Sequence, residues 1–361
     1  MPTTLAPFVS AFRARWQFPG LSVAVARSGE PLETYTTGFA DPESARPVTP
    51  ETLFRIASLS KTITAVAILR LAEQQVLALD APALAYLPHI PSSLPDPRLA
   101  RLTIRQILHH TAGWDESLTP PPFAATHDTV LERGWSFPPA AAEWLAALLA
   151  QPLDFEPGTR HAYSNSGYFL LGRLIEHVTR QSYEDAVRNL VLAPAGLTHV
   201  RLGRSLPQHA APQEAAYFAG SPEPVLSIFS REPRLGPAPY AAHVLENIDS
   251  AGGWIATPSD LVRFLQALDP AHSPSLWNRP SSFAEFTTPS PCDPSYGLGI
   301  VIEPEDDGTL TLLHNGGFDG CYAFMATFGP LGLSLAVLVN TDRDDEDFEP
   351  ELIGGLLEIL K

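Results

Sequence analysis

The sequence predicts an α/β protein of the α+β type: one antiparallel sheet flanked by terminal helices, with a mainly helical domain inserted into it. Three observations carry that expectation. Apolar stretches with strand-like alternation lie near both ends of the 361-residue chain, in 20–40 and in 296–339. Helical periodicity dominates the middle. Short helical patterns also stand at the two termini. Strands divided in this way pair most simply as a single sheet with an insertion. The expected division is 1–80 plus 250–361 for the sheet domain and 81–249 for the helical one.

The elements follow in order. Residues 4–18 read as a helix with Leu5, Phe8, Val9, Phe12 and Trp16 on one side. Leu21, Val23 and Val25 alternate with smaller residues, Ser28-Gly29 turns the chain, and 33–40 returns as a second strand. Ile63, Val66, Ala67, Ile68, Leu69, Leu71 and Ala72 then leave almost no polar face, which predicts a buried helix. From about 81 the prolines at 82, 88, 91, 95 and 97 exclude long regular elements. Thr103-Ile104-Arg105-Gln106 is a capping box for a short helix. It is expected to end at Ala112-Gly113-Trp114; His109 and His110 are adjacent on it, which makes them a poor metal pair.

Residues 115–140 read as a loop-rich insertion and 140–150 as a helix. After the break at Pro157-Gly158, Tyr168, Leu171, Ile175 and Val178 mark one helix, and about 183–192 a second. Residues 203–249 carry seven prolines and read as a long ordered loop that covers a site. Trp114, Trp135 and Trp254 are the candidate walls of that site. Thr257-Pro258-Ser259-Asp260 opens a capped helix whose buried stripe is Leu261, Phe264, Leu265 and Leu268. Then Tyr296, Leu298, Ile300 and Ile302 alternate as a strand, with Asp307-Gly308 as a hairpin turn. Residues 309–313 run back into His314-Asn315-Gly316-Gly317. A further strand pair spans 321–328 and 331–339, and a helix over 349–360 closes the chain.

Composition narrows the function. Apolar residues make up 45% and the formal net charge is −17, with no basic stripe, so nucleic acid and anionic membrane are excluded as partners. The acidic run 342–349 reads as a solvated loop. Cys292 and Cys321 form no C-x-x-C motif, so no zinc or redox site is expected; a disulfide between them stays open. No basic segment followed by an apolar core opens the chain and no run has transmembrane length, so the expected location is cytoplasmic.

The chemistry centres on Ser58-Leu59-Ser60-Lys61, an S-x-x-K sequence just before the buried helix. Lys61 and Lys361 are the only lysines, against 21 arginines. Arginine keeps its proton at any working pH, whereas a desolvated lysine can release one and act as a base. Residues three apart share a helix face, which brings hydroxyl and amine within hydrogen-bond reach. The positive end of the helix would favour an alkoxide or oxyanion. The plain alternative is a serine cap and a snorkelling lysine.

Two more constellations accompany it: Tyr163-x-Asn165 and His314-Asn315-Gly316-Gly317. The three sets resemble the active-site motifs of the serine β-lactamase and penicillin-binding protein superfamily. So do 102–113, Ser250-Ala251-Gly252-Gly253-Trp254 and Tyr296-Gly297-Leu298-Gly299-Ile300. The Tyr-x-Asn form is similar to the class C-like branch, which includes family VIII carboxylesterases and D-aminopeptidases. The resemblance runs from about 20 to 340. It implies a β-lactamase/transpeptidase-like fold and hydrolysis of small esters or amides through an acyl-Ser58 intermediate. It also implies no cofactor and no metal, with a small-molecule acyl substrate as the partner. By the same resemblance Lys61 and Tyr163 share the nucleophile's proton, which of them is the base being open. The N–H groups of Ser58 and Gly317 would form the oxyanion hole. Asn165 would orient the substrate, and Gly316 and Gly317 would let the edge strand approach it closely. His314 stands where many members carry lysine, which implies weaker attraction for the carboxylate of a β-lactam. A D-amino-acid peptidase or weak β-lactamase, an acyltransferase and a non-catalytic penicillin-binding sensor are the alternatives.

Overall fold

The computed structural model describes residues 4–87, 94–343, 345 and 347–361. Pro88 and Pro91 of the proline run, and Asp344 and Glu346 of the acidic run, lie outside the described residues. The chain begins with α1 (Leu5–Trp16), β1 (Gly20–Arg27), β2 (Glu33–Asp41), β3 (Arg46–Pro47), β4 (Phe54–Arg55) and α2 (Leu59–Glu73). The middle holds α3 (Ile104–Leu108), α4 (His127–Arg133), α5 (Ala141–Leu149), α6 (Asn165–Thr179) and α7 (Tyr183–Val187). It continues with β5 (Arg201–Leu202), β6 (Val225–Leu226), β7 (Leu235–Gly236) and α8 (Ala238–Ala241). The last part comprises α9 (Asp249–Gly252), β8 (Trp254–Ala256), α10 (Pro258–Leu268), α11 (Pro280–Phe286) and β9 (Val301–Pro304). It ends with β10 (Leu310–Phe318), β11 (Cys321–Phe328), β12 (Leu333–Val339) and α12 (Phe348–Leu360).

The main sheet is antiparallel, in the order β3-β2-β1-β12-β11-β10-β9. The two ends of the chain meet at its centre, where Val23 of β1 lies opposite Val337 of β12. Leu21, Val23 and Val25 face α1 and α12 together with Leu333, Leu335, Val337 and Val339. The opposite face carries Ala24, Ala26, Ala336 and Leu338, against which α10 packs. Because both faces are covered, β1 and β12 are buried almost throughout. The small residues that alternate along β1 leave room for α10.

Helix α2 lies between this sheet and the helical part. Every residue from Leu59 to Leu69 is buried, as its uniform apolarity requires. Helices α6 and α9 pack on it directly, and one apolar cluster runs from Ala336 and Leu338 through Ile63, Val66 and Ile68 to Leu108, Trp144 and Leu171.

Four local expectations change. Residues 296–300 are not a strand; β9 spans only Val301–Pro304. Gly299 sits at φ +83 against α2, where a Cβ would meet the Ala65 Cβ at 2.6 Å, and its carbonyl accepts from Thr62 Oγ1 at 2.8 Å. The alternation there marks burial against a helix rather than pairing in a sheet. The helix expected over 183–192 keeps its α geometry only to Val187 and then widens into a π-type turn. Residues 203–249 are not featureless: they contain the β6–β7 hairpin and α8. The acidic run is not wholly solvated, since Asp342 Oδ1 accepts from the N–H groups of Gly220 (2.9 Å) and Gly320 (2.6 Å). Cys292 and Cys321 are both free thiols. Among the described residues no helix is long and apolar enough to cross a membrane.

Candidate active site

Ser58 stands at the entry to α2. The residue before it, Ala57, has φ +45, a left-handed conformation that costs energy for a residue with a Cβ. This bend passes the chain from β4, which pairs with β8, into the helix. Arg55 anchors β4: its buried guanidinium donates to Pro239 O at 2.7 Å and lies over the Tyr217 ring at 4.1 Å. Ser58 itself is helical, and its side chain makes no capping bond. The hydroxyl instead lies 3.0 Å from Lys61 Nζ.

Lys61 is fully buried. Its amine donates to Ala251 O at 2.8 Å, in the Ser250–Trp254 stretch, and lies 4.8 Å from the centre of the Tyr163 ring. Burial lowers its pKa to about 7, with the carboxylate of Glu116 acting in the opposite direction. Tyr163 is 39% exposed overall, and its hydroxyl faces Ser58. Desolvation raises the phenol pKa above its ordinary value; Glu116 adds to the rise and Ser58 opposes it. Burial therefore favours the uncharged form of both side chains.

Asn165 opens α6, whose cap is Ser164. Its Nδ2 donates to Glu116 Oε2 at 2.9 Å. The other Glu116 oxygen accepts from Ser164 Oγ at 3.1 Å and from the Ser166 N–H at 2.9 Å. A carboxylate at the start of α6 is favoured by the free N–H groups there. Glu116 carried no signal in the sequence, because its partners lie 48–50 residues away.

The edge of β10 forms the facing wall. β9 pairs with it only over 310–313, so 314–318 are bonded to β11 on one side alone. Gly316 lies against the backbone of Ser58: a Cβ there would fall 2.6 Å from Ser58 N. Phe318 and Cys321 close the β10–β11 hairpin, and ladder bonds alternate, so the Gly317 N–H points to the open edge. His314 is buried at 3% exposure, with both ring nitrogens in contact with the protein. Nδ1 donates to Asn315 O at 2.6 Å, and Nε2 lies 3.4 Å from Tyr296 Oη. Burial, then the Lys61 charge, lowers its pKa to about 4. A direct bond from His314 to substrate would require one of those partners to give way. The tryptophan walls also contract: Trp114 and Trp254 belong to the buried core, Trp254 donating to Tyr183 Oη at 3.0 Å, and only Trp135 is partly exposed. His109 and His110 diverge, one bonding to Thr288 O and the other to Tyr296 Oη.

A serine, a buried amine and a phenol meeting at the entry to a buried helix, beside an open sheet edge, define a class of serine hydrolase fold. The chain belongs to the Beta-lactamase family, whose model matches residues 7–357. A penicillin-binding protein of Bacillus subtilis (strain 168) is 28% identical over 359 residues, covering 95% of this chain and 72% of that protein. Esterase EstB of Burkholderia gladioli is 35% identical over 221 residues, covering 61% of this chain and 55% of the esterase. Among solved structures, the D-amino acid amidase from Ochrobactrum anthropi SV3 complexed with D-phenylalanine superposes with a TM-score of 0.73 at 24% identity, covering 98% of this chain and 96% of that one. These structural likenesses show the shared β-lactamase/transpeptidase fold.

Proposed function

We propose that this chain is a serine hydrolase that cleaves small esters or amides through an acyl-Ser58 intermediate. The observation that carries the reading is the 3.0 Å approach of Ser58 Oγ to a buried lysine whose pKa lies near 7. A neutral Lys61 amine takes the hydroxyl proton as Oγ attacks the carbonyl carbon. The carbonyl oxygen becomes the oxyanion held by the N–H groups of Ser58 and Gly317. Collapse breaks the bond to the leaving group, which receives the proton from Lys61 or through the Tyr163 hydroxyl. Water then attacks the acyl-enzyme by the same steps in reverse. Lys61 is the base in this reading, because burial lowers its pKa while raising that of Tyr163. An uncharged His314 supports substrates that need no cation at that position, and the likeness to an esterase supports ester chemistry.

The test is intact-mass spectrometry after brief incubation with a p-nitrophenyl ester, with p-nitrophenol release followed in parallel. Ser58→Ala is expected to lose the adduct and to lower kcat by about 10⁴-fold or more. Equal turnover in the two proteins removes Ser58 from the reaction. An adduct without turnover supports the non-catalytic penicillin-binding alternative.

A further inference from the structure

His110 has no part in the chemistry just described, yet the chain holds it in an unusual way. It has φ +55, again left-handed for a residue with a Cβ, and it is 1% exposed. That conformation turns two acceptors towards the Tyr163 segment. The His110 carbonyl accepts the N–H of Ala162 at 2.8 Å, and its Nδ1 accepts the N–H of Ser164 at 3.0 Å. The residues on both sides of Tyr163 are therefore bonded to this one histidine. The His110 ring also lies over the Tyr163 ring, 4.3 Å between centroids and tilted by 31°.

The acceptor role of Nδ1 fixes the tautomer. With Nδ1 receiving a backbone N–H, the single ring proton is on Nε2, which donates to Tyr296 Oη at 3.2 Å. The Tyr296 hydroxyl faces His314 Nε2 at 3.4 Å. His314 then donates through Nδ1 to Asn315 O. A chain of oriented bonds thus runs from the Tyr163 segment to β10, the strand that carries Gly316 and Gly317. Burial keeps His110 uncharged, which this bonding pattern requires.

We propose that His110 is the positioning residue of the site: it clamps Tyr163 over Ser58 and, through Tyr296 and His314, ties that clamp to the edge strand opposite. The proposal rests on the reading of Tyr163 as a partner in proton transfer. It assigns His110 no contact with substrate.

The experiment uses the full chain and a p-nitrophenyl ester, with kcat and KM measured for His110→Asn, His110→Gln and His110→Ala. Each is made alone and with Tyr163→Phe, and each is checked by thermal unfolding. The Asn Oδ1 can replace Nδ1 as the acceptor for Ser164, whereas the longer Gln places its amide where Nε2 stood. His110→Asn, which keeps the Ser164 bond and loses the Tyr296 bond, is expected to lose about 3–10-fold in kcat, while His110→Ala, which loses both, and His110→Gln, which misplaces the Ser164 acceptor, lose roughly 10–100-fold with little change in KM. In the Tyr163→Phe background the loss from His110→Ala is expected to shrink below about 3-fold, because the residue that His110 positions is already disabled. Full additivity, or equal loss for Asn and Gln in folded proteins, overturns the proposal and leaves the role of Tyr163 standing. If Tyr163→Phe retains full kcat while Ser58→Ala is inactive, the reading of Tyr163 fails and the proposal fails with it.

Discussion

Lys61 lies at a point where burial and a single carboxylate act against each other. Burial lowers its pKa to about 7 and Glu116 holds it from falling further. Glu116→Gln keeps an acceptor for the Ser166 N–H but removes the charge, so the Lys61 pKa falls. Since kcat/KM reports the free enzyme's base, its acid limb is expected to move to lower pH, and activity at pH 6 to rise relative to pH 8. An unmoved limb would separate Glu116 from the base. Stability carries the same signature. An amine whose pKa drops from 10.5 in the unfolded chain to about 7 when folded weakens the fold. The penalty is absent above about pH 10.5, grows as pH falls, and is complete below about 7, where it is of order a few kcal/mol. Lys61→Met is therefore expected to be inactive yet to gain more stability at pH 7 than at pH 10, as read by denaturant unfolding. The approach of Ser58 to Lys61 was legible in the sequence because a spacing of three within one helix fixes where such side chains point, whereas Tyr163, 105 residues on, was placed beside them only by the family resemblance. Glu116 and the role of His110 were not legible, because both depend on loop contacts about 50 residues apart and one depends on a left-handed backbone.

At the scale of elements, the site is the meeting of a helix entry with a strand edge, and the tolerance of that contact is asymmetric. A methyl group at Gly316 would meet backbone, Ser58 N at 2.6 Å and Ser58 Cα at 3.2 Å, neither of which can swing aside. A methyl at Gly317 would meet only Cys321 O, at 3.2 Å. Gly316→Ala is thus expected to displace the nucleophile or β10 and to lower kcat about 10²-fold, with Gly317→Ala much closer to the parent. Kinetics of the two variants on one ester checks the ranking; the reverse order would mean that Gly316 does not set the spacing. The strands and helices were legible wherever one period ran for several residues, as in β1, α2 and α10. They were misread where the same apolar alternation served another purpose. Leu298 and Ile300 are buried in the core but lie outside any strand, and periodicity records which side chains avoid water without recording what covers them.

At the scale of the molecule, the sequence suggests two domains, because the helical middle interrupts a sheet built from both ends. The packing makes a sharper statement. A single apolar cluster passes through α2, touching the sheet at Ala336 and Leu338 and the helical part at Leu108, Trp144 and Leu171. Among the described residues this apolar cluster is continuous from the sheet to the helical part, so each part helps to cover the other's inner face. The two parts should then melt together. Ile68, fully buried in the middle of α2, offers the test. Ile68→Ala removes buried methylene groups and leaves a void, at a cost of about 2–5 kcal/mol. If the cluster is one cooperative unit, calorimetry of the parent gives one transition and the substitution lowers it without splitting it. Two transitions in the parent, with only one displaced by the substitution, would mean that the helical part folds independently and that α2 belongs to only one of the two. The distinction bears on the site, since Ser58 and Lys61 ride on α2 while Tyr163 opens towards them from the helical part. A hydrogen-bonded set shared across two independently melting units would lose its geometry well below the temperature at which the sheet unfolds. With one unit, turnover of the ester is expected to persist up to the single transition and to vanish within it.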